Sequence, residues 1–421
     1  MCAQGIGLTG RPFDACKGRC AMLRSRVVLF LLLALATSGL LESARATDVS
    51  GTITTTKWTK ANSPYHATGT VTVPAGNTLT IEPGVDVLFD STAQFVVNGT
   101  LNAVGTEADS IRFQAGQAPV WGGVRITGGT GSTVSYTRIS GVGGVTDGGA
   151  LCVTGSGTQL SVSHVVVSAN QSVGVYLSDG NLILTDCTIS DNTQVGVYNE
   201  GTLTMVQCAI SRNTGEGLAN GPLDRSYDRA ASVRYCVISE NSTGVWNKKG
   251  YVTIENCTIS GNGTGLSNAS TLTVTKTLIA NNRSYGVFHY AKYWALSLTD
   301  CTISGNSGVA VFNYGETVTL TRCLVVGNTS SSSMIENYAA IDRGASLIIR
   351  NCTITGNSSS GQSLIKSSRF VGQPKGSGYS NLTVQNTIVW GNIAAKQIDN
   401  VNGQATVTYS DIQQESGVFA G

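Results

Sequence analysis

Four hexapeptides carry side chains that could do chemistry: CTISDN at 187–192, CTISGN at 257–262 and at 301–306, and CTITGN at 352–357. Each brings a thiol, which can bind a soft metal or form a disulfide, and a carboxamide that both donates and accepts hydrogen bonds. With Cys208, Cys236 and Cys323, the cysteines Cys187, Cys257, Cys301 and Cys352 recur once per repeat at a fixed register. A metal site wants ligands converging from several directions. A recurring thiol offers one ligand per rung along a line, and no histidine shares its register. Thr277 and Thr387 occupy the same slot in two other repeats, where a thiolate role is impossible. Two readings remain. One is a column of buried free thiols serving as small apolar fillers. The other is a disulfide between neighbouring rungs; in-register parallel residues place Cβ atoms about 4.8 Å apart, whereas a bridge wants roughly 3.5 to 4.5 Å, so strain disfavours it. Cys152 falls outside the column.

The carboxylates and histidines are no better grouped. Asp186 and Asp300 share the bend before the cysteine, but they lie five coils, about 24 Å, apart and form no pair. Asp224 and Asp228 alternate with Arg225 and Arg229 and neutralise one another. His164 and His289 each lack a nucleophile or a ligand set nearby in sequence, and His66, just after Pro64 and Tyr65, is expected in the cap over the first coil.

The elements that must position these residues follow from the period. Aligned on Asn170, Asn192, Asn213, Asn241, Asn262, Asn282, Asn306, Asn328, Asn357 and Asn392, the steps are 22, 21, 28, 21, 20, 24, 22, 29 and 35 residues. A base period of 20 to 22 with insertions marks a solenoid. Within one period apolar residues alternate with polar ones in three runs: Cys187 and Ile189, Val195 and Val197, Leu203 and Met205. Each run reads as a strand with one face in the core. Parity breaks between Leu184 and Cys187, so the chain must bend at Thr185-Asp186. Three strands and three bends close a coil, and successive coils stack in parallel. The asparagine is expected at a left-handed bend, its amide bonding to the coils above and below. Asn199, Asn220, Asn247, Asn268, Asn313 and Asn337 form a second such column.

The first 46 residues stand apart. Arg24 and Arg26 precede an apolar run from Val27 to Leu41, followed by Ala44-Arg45-Ala46, the pattern of a secretory signal peptide cleaved after Ala46. Translation is expected to start at Met22, with residues 1–21 an upstream extension. Removing residues 1–46 leaves 21 Lys and Arg against 23 Asp and Glu. That near-neutral balance argues against a nucleic-acid partner, which would call for a basic surface. The low charge and abundant Gly, Ser and Thr suit an exported, all-β protein with no transmembrane span once the signal is removed.

The repeats resemble the right-handed parallel β-helix of the pectate-lyase-like superfold. TVTVPAGNTLTIEPGVDVLFDSTAQFVVNGTLNAVG (70–105) and WGGVRITGG (121–129) are similar to the opening coils of secreted bacterial members. TIVWGN (387–392) with VTYSDIQ (407–413) resembles the closing coils of large surface proteins, which implies a chain that continues past Gly421. The expected layout is a cap segment over 47–69 and a β-helix over 70–421, roughly 14 coils of about 21 residues. Because this fold hosts lyases, hydrolases, epimerases and inert stalks, it does not name an activity.

Function is expected where the period stretches. The insertions PLDRSYDRAA (222–231), HYAKYWA (289–295), NYAAIDRGA (337–345) and KSSRFVGQPKGSGY (366–379) all leave the coil between its second and third strands, so they line one rim. The rim offers Arg225, Tyr227, Arg229, His289, Tyr290, Lys292, Tyr293, Trp294, Arg343 and Arg369, with Lys248 and Lys249 at the same edge. Cations grip carboxylates and aromatic faces stack on sugar rings, which suits an acidic polysaccharide. The competing reading makes these loops solvated decoration. Two functions follow: a non-catalytic, exported or cell-surface stalk or adhesin-like module that needs no cofactor, or a uronate lyase or epimerase, which would require Ca²⁺ held by clustered carboxylates. No catalytic set can be named.

Overall fold

The computed structural model describes residues 46–144, 148–221, 230–339, 344–361, 363–369 and 379–413. The segment before Ala46, with the expected signal peptide, lies outside them, as do 222–229, 340–343 and 370–378 of the rim insertions. The one helix described is a single 3-10 turn, Lys60–Asn62, and none is long and apolar enough to cross a membrane.

Every strand pairing is parallel and joins one coil to the next, giving a β-solenoid. In the coil of Cys187 the strands are β1 (Thr188–Ser190), β2 (Val197–Asn199) and β3 (Thr202–Val206). Each founds a ladder. The third is a 15-stranded sheet, and the first and second merge into one 29-stranded sheet. They merge because the strand Tyr65–Val73 runs through their shared corner and pairs on both sides, Tyr65 with Val87 and Val71 with Phe95. Register survives the insertions: Leu203 pairs with Ala231 across the 222–229 segment. The expected cap is itself in register, since Thr47–Thr52 pairs with Tyr65–Val73 and Lys57–Trp58 opens the third ladder. Aromatic rings fill the first coils. Trp58 stacks on Tyr65 at 4.7 Å, and Phe89 on Trp121 at 3.9 Å.

The inner face carries the columns. All ten asparagines of the first column are buried. Asn192 donates through both its backbone N–H and Nδ2 to Oδ1 of Asn213, at 3.2 and 2.9 Å, and Asn213 does the same to Asn241 at 3.0 Å. Nδ2 of Asn213 also donates back to the Ile189 carbonyl at 3.2 Å, so the amide is satisfied on both ends. The left-handed residue is not the asparagine, as expected from the sequence, but the one before it. Asp191, Arg212, Glu240 and Asn281 hold φ between 54° and 58°, and Gly261, Gly305, Gly327, Gly356 and Gly391 between 61° and 69°. The asparagine follows the turn, just past the end of the first strand, and its amide reaches the next rung.

The predicted bend at Asp186 is real and recurs. His164, Asp186, Gln207, Tyr235, Asn256, Lys276, Asp300, Arg322, Asn351 and Asn386 all have φ between 47° and 56°. A left-handed non-glycine residue costs roughly 1 to 2 kcal/mol, and it persists because ladders on both flanks fix its neighbours.

Opposite the amides runs a glycine column, Gly174, Gly196, Gly217, Gly244, Gly265 and Gly286. A Cβ on Gly244 would lie 2.6 Å from the Gly265 carbonyl oxygen and 2.9 Å from Nδ2 of Asn262. Beyond Gly286 the corner between first and second strands lengthens, and the short strands Thr329–Ser330 and Ser358–Ser359 pair there. Ala310, Met334 and Leu364, all fully buried, fill the widened space.

Candidate functional site

The cysteine column is structural. All eight described cysteines are buried free thiols, with no disulfide between rungs. Sγ of Cys236 accepts the backbone N–H of Cys208 at 3.4 Å and donates to the Arg234 carbonyl at 3.2 Å. Thr277 does the same with a hydroxyl, accepting from Cys257 N–H at 3.3 Å and donating to the Thr275 carbonyl at 2.8 Å. The neighbouring thiol of the rung before, aided by burial, pushes Cys208 and Cys236 up to about 12. They stay protonated and are poor nucleophiles.

Two surface carboxylates at the bends are held by arginine. Arg322 donates to both oxygens of Asp300, at 2.7 and 2.9 Å, and Arg212 to both of Asp191, at 2.8 and 2.9 Å; each guanidinium holds its partner carboxyl below the ordinary range. Among the described residues no three His, Cys, Asp or Glu side chains gather as a metal site would. Asp224 and Asp228 lie outside the described residues.

Of the rim candidates, Arg225, Tyr227, Arg229 and Arg343 also lie outside them. Lys292 and Tyr293 are exposed at the tip of the 290–295 loop, Tyr293 at 73 %, with the Lys292 ammonium 5.5 Å from the Tyr293 ring centroid. Trp294 is half-buried behind them, and Arg369 is half-buried at the end of its strand. His289 is a correction. It is fully buried, and its strand partners are Asn268 and Asn313. It is a rung of the second inner column and faces away from the rim.

Tyr290 leads to a feature the sequence reading passed over. The residue before each second-column amide points outward, and in register these are Tyr176, Tyr198, Ala219, Trp246, Ser267, Phe288 and Phe312. Tyr176 stacks on Tyr198 at 5.3 Å and Phe288 on Phe312 at 5.5 Å. A second file runs beside them: Tyr290 stacks on Phe288 at 5.3 Å, Tyr314 on Phe312 at 6.3 Å and Tyr338 on Tyr314 at 5.7 Å. Two coils with small outward residues interrupt the files, and long side chains from the following coil close them. Above Ala219 the Lys248 ammonium lies between two rings, 5.1 Å from Tyr198 and 4.1 Å from Trp246. Past Ser267, Tyr290 reaches back to accept the indole N–H of Trp246 at 2.7 Å. The result is a ridge along the solenoid, about 34 Å from Tyr176 to Tyr338 at the stacking rise.

The rings stack on one another along the axis and so turn edges and hydroxyls outward. Burial, then the charge of Glu200, pushes the Tyr176 phenol up to about 12, which keeps it a hydrogen-bond donor. A shallow cavity of about 280 Å³ lined by Glu316, Ser346, Tyr379 and Asn381 opens at the edge between second and third strands. The signal was present in the sequence. Tyr198-Asn199, Trp246-Asn247, Phe288-His289 and Phe312-Asn313 each place an aromatic where an outward position should be polar.

Comparison with known proteins bears on the fold. No curated protein matches the chain in sequence. Among solved structures, the A-module of the Azotobacter vinelandii mannuronan C-5 epimerase AlgE4 is 13 % identical, with 87 % of this chain and 92 % of that one covered and a TM-score of 0.36. Pectate lyase Pel9A is 11 % identical, covering 83 % and 79 %, at 0.33. The periplasmic alginate epimerase AlgG is 10 % identical, covering 87 % and 85 %, at 0.38. A family model described as "Right handed beta helix region" matches residues 122–270, 219–325 and 245–412. The parallel ladders, the inner amide columns and this match together place the chain in the right-handed parallel β-helix family.

Proposed function

We propose that this chain is a non-catalytic scaffold of an exported or cell-surface protein, which holds an acidic polysaccharide along the aromatic ridge and the rim beside it. The observation that carries the proposal is the ridge itself. Solvated faces of a solenoid call for polar residues, yet the outward positions of six coils hold Tyr176, Tyr198, Trp246, Phe288, Phe312 and Tyr338. Their hydroxyls and ring edges form a line long enough for several sugars. Lys248, and Lys292 at the loop tip, supply positive charge where a sugar carboxylate would pass. An elongated, shallow face of this kind grips a polymer at many weak points without enclosing a reacting bond.

The test is binding to pectate and alginate, measured alongside ultraviolet absorbance of unsaturated products. Wild type is expected to retain polymer without generating absorbance. Trp246→Ala with Tyr314→Ala should weaken retention at least tenfold, and Tyr293→Ala with Trp294→Ala several-fold. Undiminished binding in both double variants would remove the ridge and the rim as the site; product absorbance from purified protein would replace the scaffold with a lyase.

A further inference from the structure

The second inner column has one member unlike the rest. Asn199, Asn220 and Asn247 each pass a hydrogen bond from Nδ2 to Oδ1 of the next rung, at 2.6, 3.1 and 2.9 Å. Asn268 passes its own to Nδ1 of His289 at 3.0 Å. Nδ2 can only donate, so Nδ1 must accept and the ring carries its proton on Nε2. There the relay stops. Nε2 is buried without a partner of hydrogen-bond geometry, and Oδ1 of Asn313, which a continued relay would reach, accepts only the backbone N–H of Gly315 at 3.0 Å, whereas Oδ1 of Asn268 accepts both the equivalent Ser270 N–H and the relay bond from Asn247. The column resumes with Asn313 donating to Asn337 at 2.8 Å. The ring fits because the next coil has a glycine beside it: a Cβ on Gly315 would lie 2.9 Å from Cδ2 of His289.

We infer that His289 is an acid-sensitive breakpoint of the solenoid, whose protonation on Nδ1 releases the adjoining rim loop Ala291–Ala295. The bond balance is simple. A proton on Nδ1 turns an acceptor into a donor, so Asn268 Nδ2–H and His289 Nδ1–H face each other and one must turn away. The rim loop that carries Lys292 and Tyr293 follows the ring directly in the chain, beginning two residues after its strand ends at His289. Turning the ring therefore disturbs that loop first. Nothing nearby offsets the new charge. The titratable and charged groups on the packed elements are Tyr285 and Tyr290 in its own coil, Lys292 and Tyr293 in the loop, and Tyr314 and Glu316 after the following strand; Thr264–Asn268 carries none. None of these acts on the ring by charge, and burial holds its pKa down to about 4 from the ordinary 6.5. A lowered histidine pKa means the unfolded chain takes the proton first. Stability is complete above pH 6.5 and falls as pH drops toward 4, by up to about 300-fold in the folding constant.

As a regulator of polysaccharide release this rests on the proposed function; as a property of the fold it does not. Two measurements use the full chain without ligand. Proton NMR titration of the three histidines should show one Cε1–H, absent in His289→Asn, that stays in its neutral form down to about pH 4. Hydrogen-exchange protection of residues 285–296, taken relative to the intrinsic rate at each pH, should fall on acidification in wild type and stay constant in His289→Asn, where an amide restores the relay. A His289 resonance titrating near 6.5, or equal acid response in both proteins, overturns the inference. If the variant does not fold, the wild-type titration alone decides. Acid-insensitive retention of polymer, with the exchange result intact, would count against the glycan reading and not against the breakpoint.

Discussion

At the scale of single residues, the two repeated side chains of the hexapeptide have unequal weight. Asn262 accepts from the N–H and Nδ2 of Asn241 and donates to Asn282 and the Ile238 carbonyl. Asn262→Ala orphans several buried donors at once, each costing about 1 to 3 kcal/mol, so urea denaturation should show a loss of about 3 kcal/mol or more. Cys236→Thr should change stability by less than about 1 kcal/mol, because threonine already makes the same two bonds at Thr277. A drop as large as that of Asn262→Ala would show the thiol to have a role beyond packing. Both columns were legible in the sequence, since a fixed register and a Thr for Cys exchange are visible in the letters alone. His289 was not. Its neighbours in sequence, Tyr290 to Trp294, are rim residues, and only pairing with Asn268 and Asn313 shows that it points inward.

At the scale of the coil, the three strands and the bend at Asp186 could be read from alternation and its break in parity. The glycine column could not, because its cause lies one coil away, in a backbone carbonyl, an isoleucine methyl and an asparagine amide of the next rung. Gly244 has an ordinary negative φ, so its requirement is for space alone. Gly244→Ala should therefore cost about 1 to 3 kcal/mol through overpacking, whereas Gly157→Ala, which has open space where a Cβ would go, should be nearly neutral. Equal melting temperatures for the two would contradict the packing account. The aromatic ridge escaped for a related reason. Its residues recur from coil to coil about 20 to 26 apart in sequence, so no local window shows them together.

At the scale of the whole molecule, the N-terminal end is closed by charge as well as by aromatic packing. His66 bridges two carboxylates, Nδ1 to Asp48 at 3.0 Å and Nε2 to Asp90 at 2.9 Å, tying the first strand to the coil beyond. Only an imidazolium donates on both sides, and the hydrogen bonds to Asp90 and then Asp48 raise its pKa. The sign is opposite to that of His289. The stabilisation is complete below the ordinary value of 6.5 and is lost as pH rises through the elevated folded value. Limited proteolysis near Thr47–Thr52 should accelerate with rising pH in wild type and be pH-independent in His66→Asn. A uniform rate in wild type would remove the latch. Parallel stacking, the period and the shared rim of the insertions were all foreseeable, because they depend on repetition; the added Thr329–Ser330 and Ser358–Ser359 pair was hidden by serine runs that mimic loop.

The corner between second and third strands takes every rim insertion while the columns stay in register, as Leu203 pairing with Ala231 shows. Length changes in this chain are thereby sorted by size. Removal or duplication of a whole coil, 20 to 22 residues, carries each column onto its like and leaves a shorter or longer rod of the same cross-section. Most other changes in length are absorbed at that corner, with a smaller extension between first and second strands in the late coils, so the rim would record most of a lineage's irregular gains while the body keeps count in whole turns.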